Sequence, residues 1–314
     1  MKNIFCIGEL LIDFVAEKQG KDLSKASEFS KKAGGAPANV ACAISKLGGK
    51  GIFIGCVGDD PFGKFLLDVL KDAEVDISLA QKSEVFTTLA FVSNDEDGER
   101  DFVFSRGADR ELKYDSSLKT KFKANMVHFG AATALLGGNL EDAYSRYFFD
   151  ALTQNSFISF DPNYRVDLWK GKEDIFIKKC MPFIQKSNLC KFSIDEAFLI
   201  SKMNTLEEAC KYLHDIGAPI IVITLGGEGT YISIPNFNTT VKSIKVDPVD
   251  TTGAGDAFIG CLLKQISGLD NWDKLHEKSE TLSDMVALAN RAGAITTTKF
   301  GAINALPTQN QLVS

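Results

Sequence analysis

Asp250-Thr251-Thr252-Gly253-Ala254-Gly255-Asp256-Ala257-Phe258 is the stretch from which the rest of the chain can be read. Val246 and Val249 precede it, and an apolar helical stripe follows through Phe258, Ile259, Leu262, Leu263 and Ile266 to a stop at Gly268. The small residues therefore lie on a loop that becomes a helix N-terminus. There the backbone N–H groups of residues 253–256 lack helical acceptors, and the helix dipole favours an anion. Gly253, Ala254 and Gly255 carry no bulky side chain, so a phosphate can approach that backbone closely. Asp256 is then a carboxylate in the first turn, beside the place a phosphoryl group would occupy. A lone Gly-x-Gly would be only a softened helix start with Asp256 compensating the dipole. The nine-residue string points instead to a phosphate site.

Ligands of α/β sheets collect at the carboxyl ends of strands, and the chain around this loop has that rhythm. Residues 4–7, 51–57, 126–129, 157–161, 189–192 and 220–224 read as buried strands, apolar on both faces and bounded by Gly, Pro, Asp or Asn. Residues 62–73, 140–153, 175–185 and 206–216 read as helices between them. The alternation predicts an α/β fold, a doubly wound, mostly parallel sheet flanked by helices, in a single domain over residues 1–314. Two stretches break the rhythm, 13–32 and 84–106, with charged, strand-like alternation and no helical stripe. In the second, residues 87–93 and 101–105 predict an antiparallel hairpin that turns at 95–98. Both are expected to form a small β-sheet lid over the strand ends.

Composition bounds the function. The 314 residues are 45% hydrophobic and 24% charged, which suits a globular chain with a sizeable core. Lys+Arg 35 against Asp+Glu 41 gives a net charge of -6, and the pI is about 5.3. Such a balance argues against broad, charge-driven binding to nucleic acid or to a membrane surface, while leaving room for a small anion. Glu9 and Asp13 interrupt the apolar start, so a buried first strand is expected rather than a signal peptide. No run reaches the roughly 18–20 apolar residues of a membrane span. The seven cysteines are scattered, with no Cys-x-x-Cys pair, and the three histidines lie far apart. Zinc and disulfide frameworks are not expected, and a reduced, cytoplasmic setting is.

A second string, Ala33-Gly34-Gly35-Ala36-Pro37-Ala38-Asn39-Val40-Ala41, also enters a helix, with Val40, Ile44 and Leu47 on one buried face. Gly34 and Gly35 would bring backbone donors close to a polyhydroxylated ligand, and the Asn39 amide offers a donor and an acceptor to its hydroxyls. One apparent motif is set aside. Gly58-Asp59-Asp60-Pro61-Phe62-Gly63-Lys64 has P-loop spacing, but Phe65 stands where a magnesium-binding hydroxyl must be, and two aspartates would repel phosphate. It reads as a tight turn with an Asp helix cap.

The two glycine-rich strings resemble the signature segments of the PfkB (ribokinase-like) carbohydrate kinases, and the resemblance runs over essentially the whole chain. It implies the fold just described and an ATP-dependent phosphotransferase using Mg2+ and K+. By that resemblance Asp256 is the catalytic base, the backbone of Gly253, Ala254, Gly255 and Asp256 is the anion hole, and Gly34, Gly35 and Asn39 hold the sugar. Asp13, ending Gly8-Glu9-Leu10-Leu11-Ile12-Asp13, matches the family's sugar-binding aspartate. Thr224-Leu225-Gly226-Gly227-Glu228-Gly229 resembles the nucleotide loop, so Thr224, Gly226, Gly227 and Gly229 are expected at ATP, with Asn290 in the adenine wall. Ser193-Ile194-Asp195-Glu196 stands where the family has Asn-x-x-Glu, tied to magnesium and phosphate; here Ser193 replaces Asn and Glu196 keeps its place. Asp250 and Thr252, with carbonyls around Thr296, Lys299 and Gly301, match a monovalent-cation site.

Within the family, several strings look like those of fructokinases: Gly-Glu-Leu-Leu-Ile-Asp-Phe at the start, the Gly-Gly-Ala-Pro-Ala-Asn-Val-Ala signature, residues 102–109, and Asp161-Pro162-Asn163-Tyr164-Arg165 with Leu168-Trp169. They imply D-fructose as substrate and D-fructose 6-phosphate as product. Asn163 and Arg106, the latter from the lid, are expected at the sugar, and Arg165 at the transferring phosphoryl group. The alternatives are a 2-keto-3-deoxygluconate kinase, in which Arg106 would meet the substrate carboxylate, and a silent sugar or nucleotide sensor. The exposed lid strands also suit a homodimer.

Overall fold

The computed structural model describes residues 1–17, 22–94 and 100–313. Its strands are β1 (Asn3–Ile7), β2 (Leu11–Ala16), β3 (Phe29–Gly34), β4 (Lys50–Ile54), β5 (Cys56–Gly58), β6 (Gln81–Ser83), β7 (Leu89–Asn94), β8 (Arg100–Ser105), β9 (Met126–Gly130), β10 (Phe157–Asp161), β11 (Leu189–Ser193), β12 (Ile221–Thr224), β13 (Thr230–Ile234) and β14 (Phe237–Val241). Its helices are α1 (Ala36–Lys46), α2 (Pro61–Asp72), α3 (Asn139–Thr153), α4 (Val166–Trp169), α5 (Glu173–Lys186), α6 (Ile194–Ser201), α7 (Leu206–Asp215), α8 (Ala254–Ser267), α9 (Ser279–Thr296), α10 (Ala302–Ala305) and α11 (Gln309–Val313).

The main sheet has the order β14-β13-β12-β11-β10-β9-β1-β4, parallel throughout except that β13 runs against both its neighbours. Side chains on a strand alternate between faces, and β1 shows the consequence. Ile4 and Cys6 pack into the core beneath α1, α8 and α9, while Phe5 and Ile7 pack into the opposite core beneath α3 and α5. Burying both faces is what the unbroken apolar runs required. The capping signals also act locally: Asp60 accepts from the amides of Phe62 and Gly63 at the start of α2, and Thr205 caps α7. The P-loop-like string is therefore the predicted turn, with Asp59 at the surface paired to Lys82.

The second, smaller sheet, β3-β2-β7-β8, is built from the two stretches expected to form a lid, with β2 and β7 parallel and the other pairs antiparallel. The expected turn at 95–98 lies outside the described residues. Two boundaries differ from expectation. The strand predicted over 51–57 is two strands: β4 ends at Ile54, and β5 leaves to pair with β6. The break is at Gly55, where a side chain would come 2.4 Å from the Gly8 carbonyl oxygen. The lid hairpin begins at Leu89 rather than Thr87, because Thr87 and Thr88 turn their hydroxyls to Asp60 and Asp109 instead of extending the strand.

Helices α1 and α8 approach closely at Gly260, where an added Cβ would lie 2.6 Å from the Ala43 Cβ. Ala43 and Gly260 each lie one turn beyond a polar residue, Asn39 and Asp256. Their contact brings the two helix N-termini together at the carboxyl end of the sheet.

Candidate active site

A cavity of about 930 Å³ opens there, between the strand ends and the lid. Leu11, Asp13, Val15, Val92, Phe102 and Phe104 face it from the lid. Apart from Asp13 and Lys32, its charges lie on the floor.

Gly253 has φ 82 and caps α8, a conformation that favours glycine. The amide of Ala254 bonds back to the Thr251 carbonyl at 3.3 Å, and that of Ala257 to the Gly253 carbonyl at 2.8 Å. The amides of Gly255 and Asp256 between them have no acceptor within the helix. Gly253, Gly255 and Asp256 line the cavity, whereas Ala254 does not.

The Asp256 carboxylate is buried, and its Oδ2 accepts from Asn39 Nδ2 at 2.8 Å. Burial pushes its pKa up to about 6, and Asp161 adds to the rise. The Asn39 hydrogen bond, Arg165 and Lys191 act in the opposite sense. Asn39 Oδ1 is buried without a hydrogen-bond partner among the described residues, an acceptor that a ligand hydroxyl would satisfy. Gly35, the α1 N-cap, has φ 113 and leaves no room for a side chain, since a Cβ would lie 2.5 Å from the Glu9 carbonyl. Gly34 sits behind it against Asp13, and Asp13 lines the cavity.

Loop 161–165 closes another side. Asn163 has φ 47, and its amide donates to Asp161 Oδ1 at 3.1 Å. Arg165 is exposed at the start of α4, lines the cavity, and acts electrostatically on both Asp256 and Glu9. Ser193 and Glu196 form a capping box on α6, with Ser193 N to Glu196 Oε2 at 2.7 Å. Glu196 Oε1 accepts from the Tyr164 amide at 2.7 Å, so this carboxylate ties loop 161–165 to α6. Both residues line the cavity.

Asp250 joins two loops. Its Oδ1 accepts from the Thr252 hydroxyl at 2.6 Å and its Oδ2 from the Gly301 amide at 2.8 Å. Asp250, Thr252 and Gly301 reach the cavity; Thr296 and Lys299 do not, and the Thr296 hydroxyl bonds to the Ala292 carbonyl. Among the described residues no cluster of three or more His, Cys, Asp or Glu could hold a metal.

Three groups of expected residues stand away from this cavity. Arg106 does not line the cavity. Its guanidinium bonds to Asp109 Oδ2 at 3.3 Å and to the carbonyls of Leu136 and Thr133 at 3.0 and 3.1 Å, fastening the lid to loop 131–138. Asn290 is a cross-link: it accepts from the Thr230 hydroxyl at 2.6 Å and donates to the Val241 carbonyl at 2.8 Å. These bonds fix α9 against β13 and β14. Thr224, at the end of β12, and Gly226, Gly227 and Gly229, on the turn between β12 and β13, also lie outside this cavity, with the Thr224 hydroxyl on the Phe192 carbonyl at 3.3 Å.

Two charged residues went unassigned in the sequence. Lys191, in β11, is buried and paired with Asp161 at 3.0 Å. Its ammonium lies 3.2 Å from where a Cβ on Gly255 would be, under the α8 loop. Burial alone would lower its pKa, but Asp161, Glu196 and Asp256 together raise it, so it is a fixed cation. The signal was a lone lysine in the apolar run Leu189-Cys190-Lys191-Phe192. Glu9 is the other, a buried carboxylate in the first apolar stretch.

The sequence profile described as "pfkB family carbohydrate kinase" matches residues 1–309. "Probable fructokinase-2" of Arabidopsis thaliana is 38% identical over 318 residues, covering 99% of this chain and 94% of the relative. The solved fructokinase of Xylella fastidiosa with bound ATP superposes with a TM-score of 0.88 at 27% identity, covering 99% of this chain and 97% of that one. The Vibrio cholerae O395 fructokinase bound to fructose, ADP and calcium ion gives a TM-score of 0.83 at 31% identity, covering 100% of this chain and 98% of that one.

Proposed function

Because the chain belongs to the pfkB family of carbohydrate kinases, and so to the sugar phosphotransferases, we propose that it phosphorylates the 6-hydroxyl of D-fructose with ATP. The observation that carries the chemistry is the Asp256 carboxylate at the N-terminus of α8, held by Asn39 at 2.8 Å inside the cavity. The whole-length similarity to fructokinases supports the choice of sugar.

A sugar hydroxyl is a weak nucleophile at neutral pH. Asp256, ionised above about 6 and fixed through Oδ2, accepts the hydroxyl proton at its other oxygen as the new O–P bond forms. The bond from the γ-phosphorus to the bridging oxygen breaks, and ADP leaves. Charge on the transferring group meets the free amides of Gly255 and Asp256, the α8 dipole, the buried Lys191 ammonium and Arg165. Asn39 Oδ1, Gly35, Asp13 and Asn163 surround the sugar. Ser193 and Glu196 fit a hydrated magnesium ion that would neutralise nucleotide phosphates, since oxygen lone pairs remain beyond the capping box. The lid, apolar on its cavity face apart from Asp13 and Lys32, excludes water and so suppresses hydrolysis of ATP.

Competitive turnover of fructose, ribose and 2-keto-3-deoxygluconate, with the product's phosphate located, tests the reading. Fructose 6-phosphate as main product is expected; another preferred sugar or position overturns it, and no turnover favours a sensor. The engaged guanidinium of Arg106 weighs against the keto-acid sugar, because the cation that would meet its carboxylate is held at Asp109.

A further inference from the structure

Glu9 is a buried carboxylate that the chemistry above does not use. It follows β1, is 1% exposed and lines the cavity. Its Oε1 accepts from the amide of Ala36, the first residue of α1, at 3.0 Å. Its Oε2 lies 3.4 Å from the Thr133 hydroxyl, and that hydroxyl lies 2.9 Å from a second buried carboxylate, Asp109 Oδ2. A hydroxyl has one proton to give and cannot serve two carboxylates at once. With both ionised, Glu9 Oε2 would face an oxygen lone pair. A proton on Glu9 completes the count: Glu9 donates to Thr133, Thr133 donates to Asp109, and Asp109 also accepts from Arg106.

Each end of this chain is anchored where it matters. Asp109 also accepts from the Thr88 hydroxyl, which in turn accepts from the Gly107 amide at 2.8 Å. Thr88 immediately precedes β7, and Arg106 and Gly107 immediately follow β8, so Asp109 gathers both roots of the lid hairpin. At the other end Ala36 opens the helix that carries Asn39, the partner of Asp256.

Resting on the kinase reading, we propose that neutral Glu9 is a positioning residue for phosphoryl transfer: it joins the root of the lid to the first turn of α1, and thereby to the amide that orients Asp256. The groups facing it are Asp109 from the turn at Ala108–Glu111, with Arg106 behind it, Arg165 from the loop before α4, and the Tyr144 phenol from α3. Burial pushes the Glu9 carboxyl up to about 7, Asp109 adds to the rise, and backbone amides and Arg165 oppose it. A raised acid favours the protonated folded state. The stability it contributes is therefore full below the ordinary value of 4.5 and lost as pH rises through about 7.

Glu9→Gln keeps an acceptor for the Ala36 amide and a donor for Thr133, as the protonated acid does; Glu9→Ala removes both. The expected result is that Glu9→Ala lowers kcat/KM for fructose by about 10-fold or more, toward the about 10²-fold cost of misplaced groups, while Glu9→Gln restores most of that loss. Glu9→Gln also removes the alkaline fall in kcat/KM that begins near pH 7 in the parent chain. Thermal melting gives a readout independent of turnover: from pH 5 to 8 the parent should lose Tm relative to Glu9→Gln. A constant Tm difference, or a Glu9→Gln variant as impaired as Glu9→Ala, overturns the proposal. An intact Tm trend in a chain that phosphorylates no sugar overturns the kinase reading and the positioning role together.

Discussion

Asn39 Nδ2 donates to Asp256 Oδ2 at 2.8 Å, a bond between residues 217 positions apart. It holds one carboxylate oxygen and leaves the other for a proton. It also steadies the charged form against the burial that raises the Asp256 pKa to about 6. Removing it in Asn39→Leu should move the pKa higher. Because the base must be ionised, the acid limb of kcat/KM should then shift to higher pH. A pH–rate profile checks this; an unmoved limb with a lower plateau would mean Asn39 only shapes the sugar pocket.

The α1–α8 contact at Gly260 is what lets that bond form. In Gly260→Ala the new methyl would meet the Ala43 Cβ at 2.6 Å and push the helices apart. A stability loss of about 1–3 kcal/mol is expected from such overpacking, with a fall in kcat. Adding Ala43→Gly should recover both, and failure of that rescue would separate the helix contact from catalysis. Denaturant titration and initial rates supply the two readouts.

Lys191 tests whether a buried cation serves the anion site. Lys191→Met leaves Asp161 buried and unpaired, at a cost of about 3–5 kcal/mol. The double variant Lys191→Met/Asp161→Asn removes both charges and should recover stability. Its kcat should stay low if the ammonium under Gly255 stabilises transferred charge. Recovery of both would assign Lys191 to structure alone.

How much of this was legible follows from the distance between partners. Asp256, Gly253 and Gly255 were readable because their geometry is local, a loop turning into a helix. The alternating lid strands were readable for the same reason. The bonds of Arg106 were not readable because two of its acceptors are backbone carbonyls at 133 and 136 on another loop, which no side-chain pattern announces. The partners of Asn290 were hidden likewise, since they lie on β13 and β14. Lys191 and Glu9 did leave a trace, a charge inside an apolar strand run, but a sequence does not say what such a charge faces. The break at Gly55 depends on a carbonyl of Gly8 in the neighbouring turn, a purely tertiary cause.

Asp250 binds the 250–252 loop to Gly301 and lies three residues before Gly253, the cap of α8. A potassium ion beside Asp250 and Thr252 would stiffen that loop without touching the sugar. Replacing potassium with a bulky organic cation at fixed magnesium should lower kcat. Equal rates in both salts would leave the Asp250 hydrogen bonds as the whole of its role.

The most direct measurement is the steady-state rate of Asp256→Asn with fructose and ATP, beside Asp59→Asn in the surface turn as control. The amide keeps size and polarity but cannot take a proton, and a positioned base is worth about 10²–10⁴-fold. A kcat loss of at least about 10²-fold is expected, with sugar and ATP binding nearly kept and a near-normal rate for Asp59→Asn. Asp256→Asn should also gain stability at neutral pH, since the buried acid's contribution is full below its ordinary 3.8 and lost as pH rises through about 6. A folded Asp256→Asn protein with near-normal kcat would rule out Asp256 as the base, because the proton would then be leaving by another route.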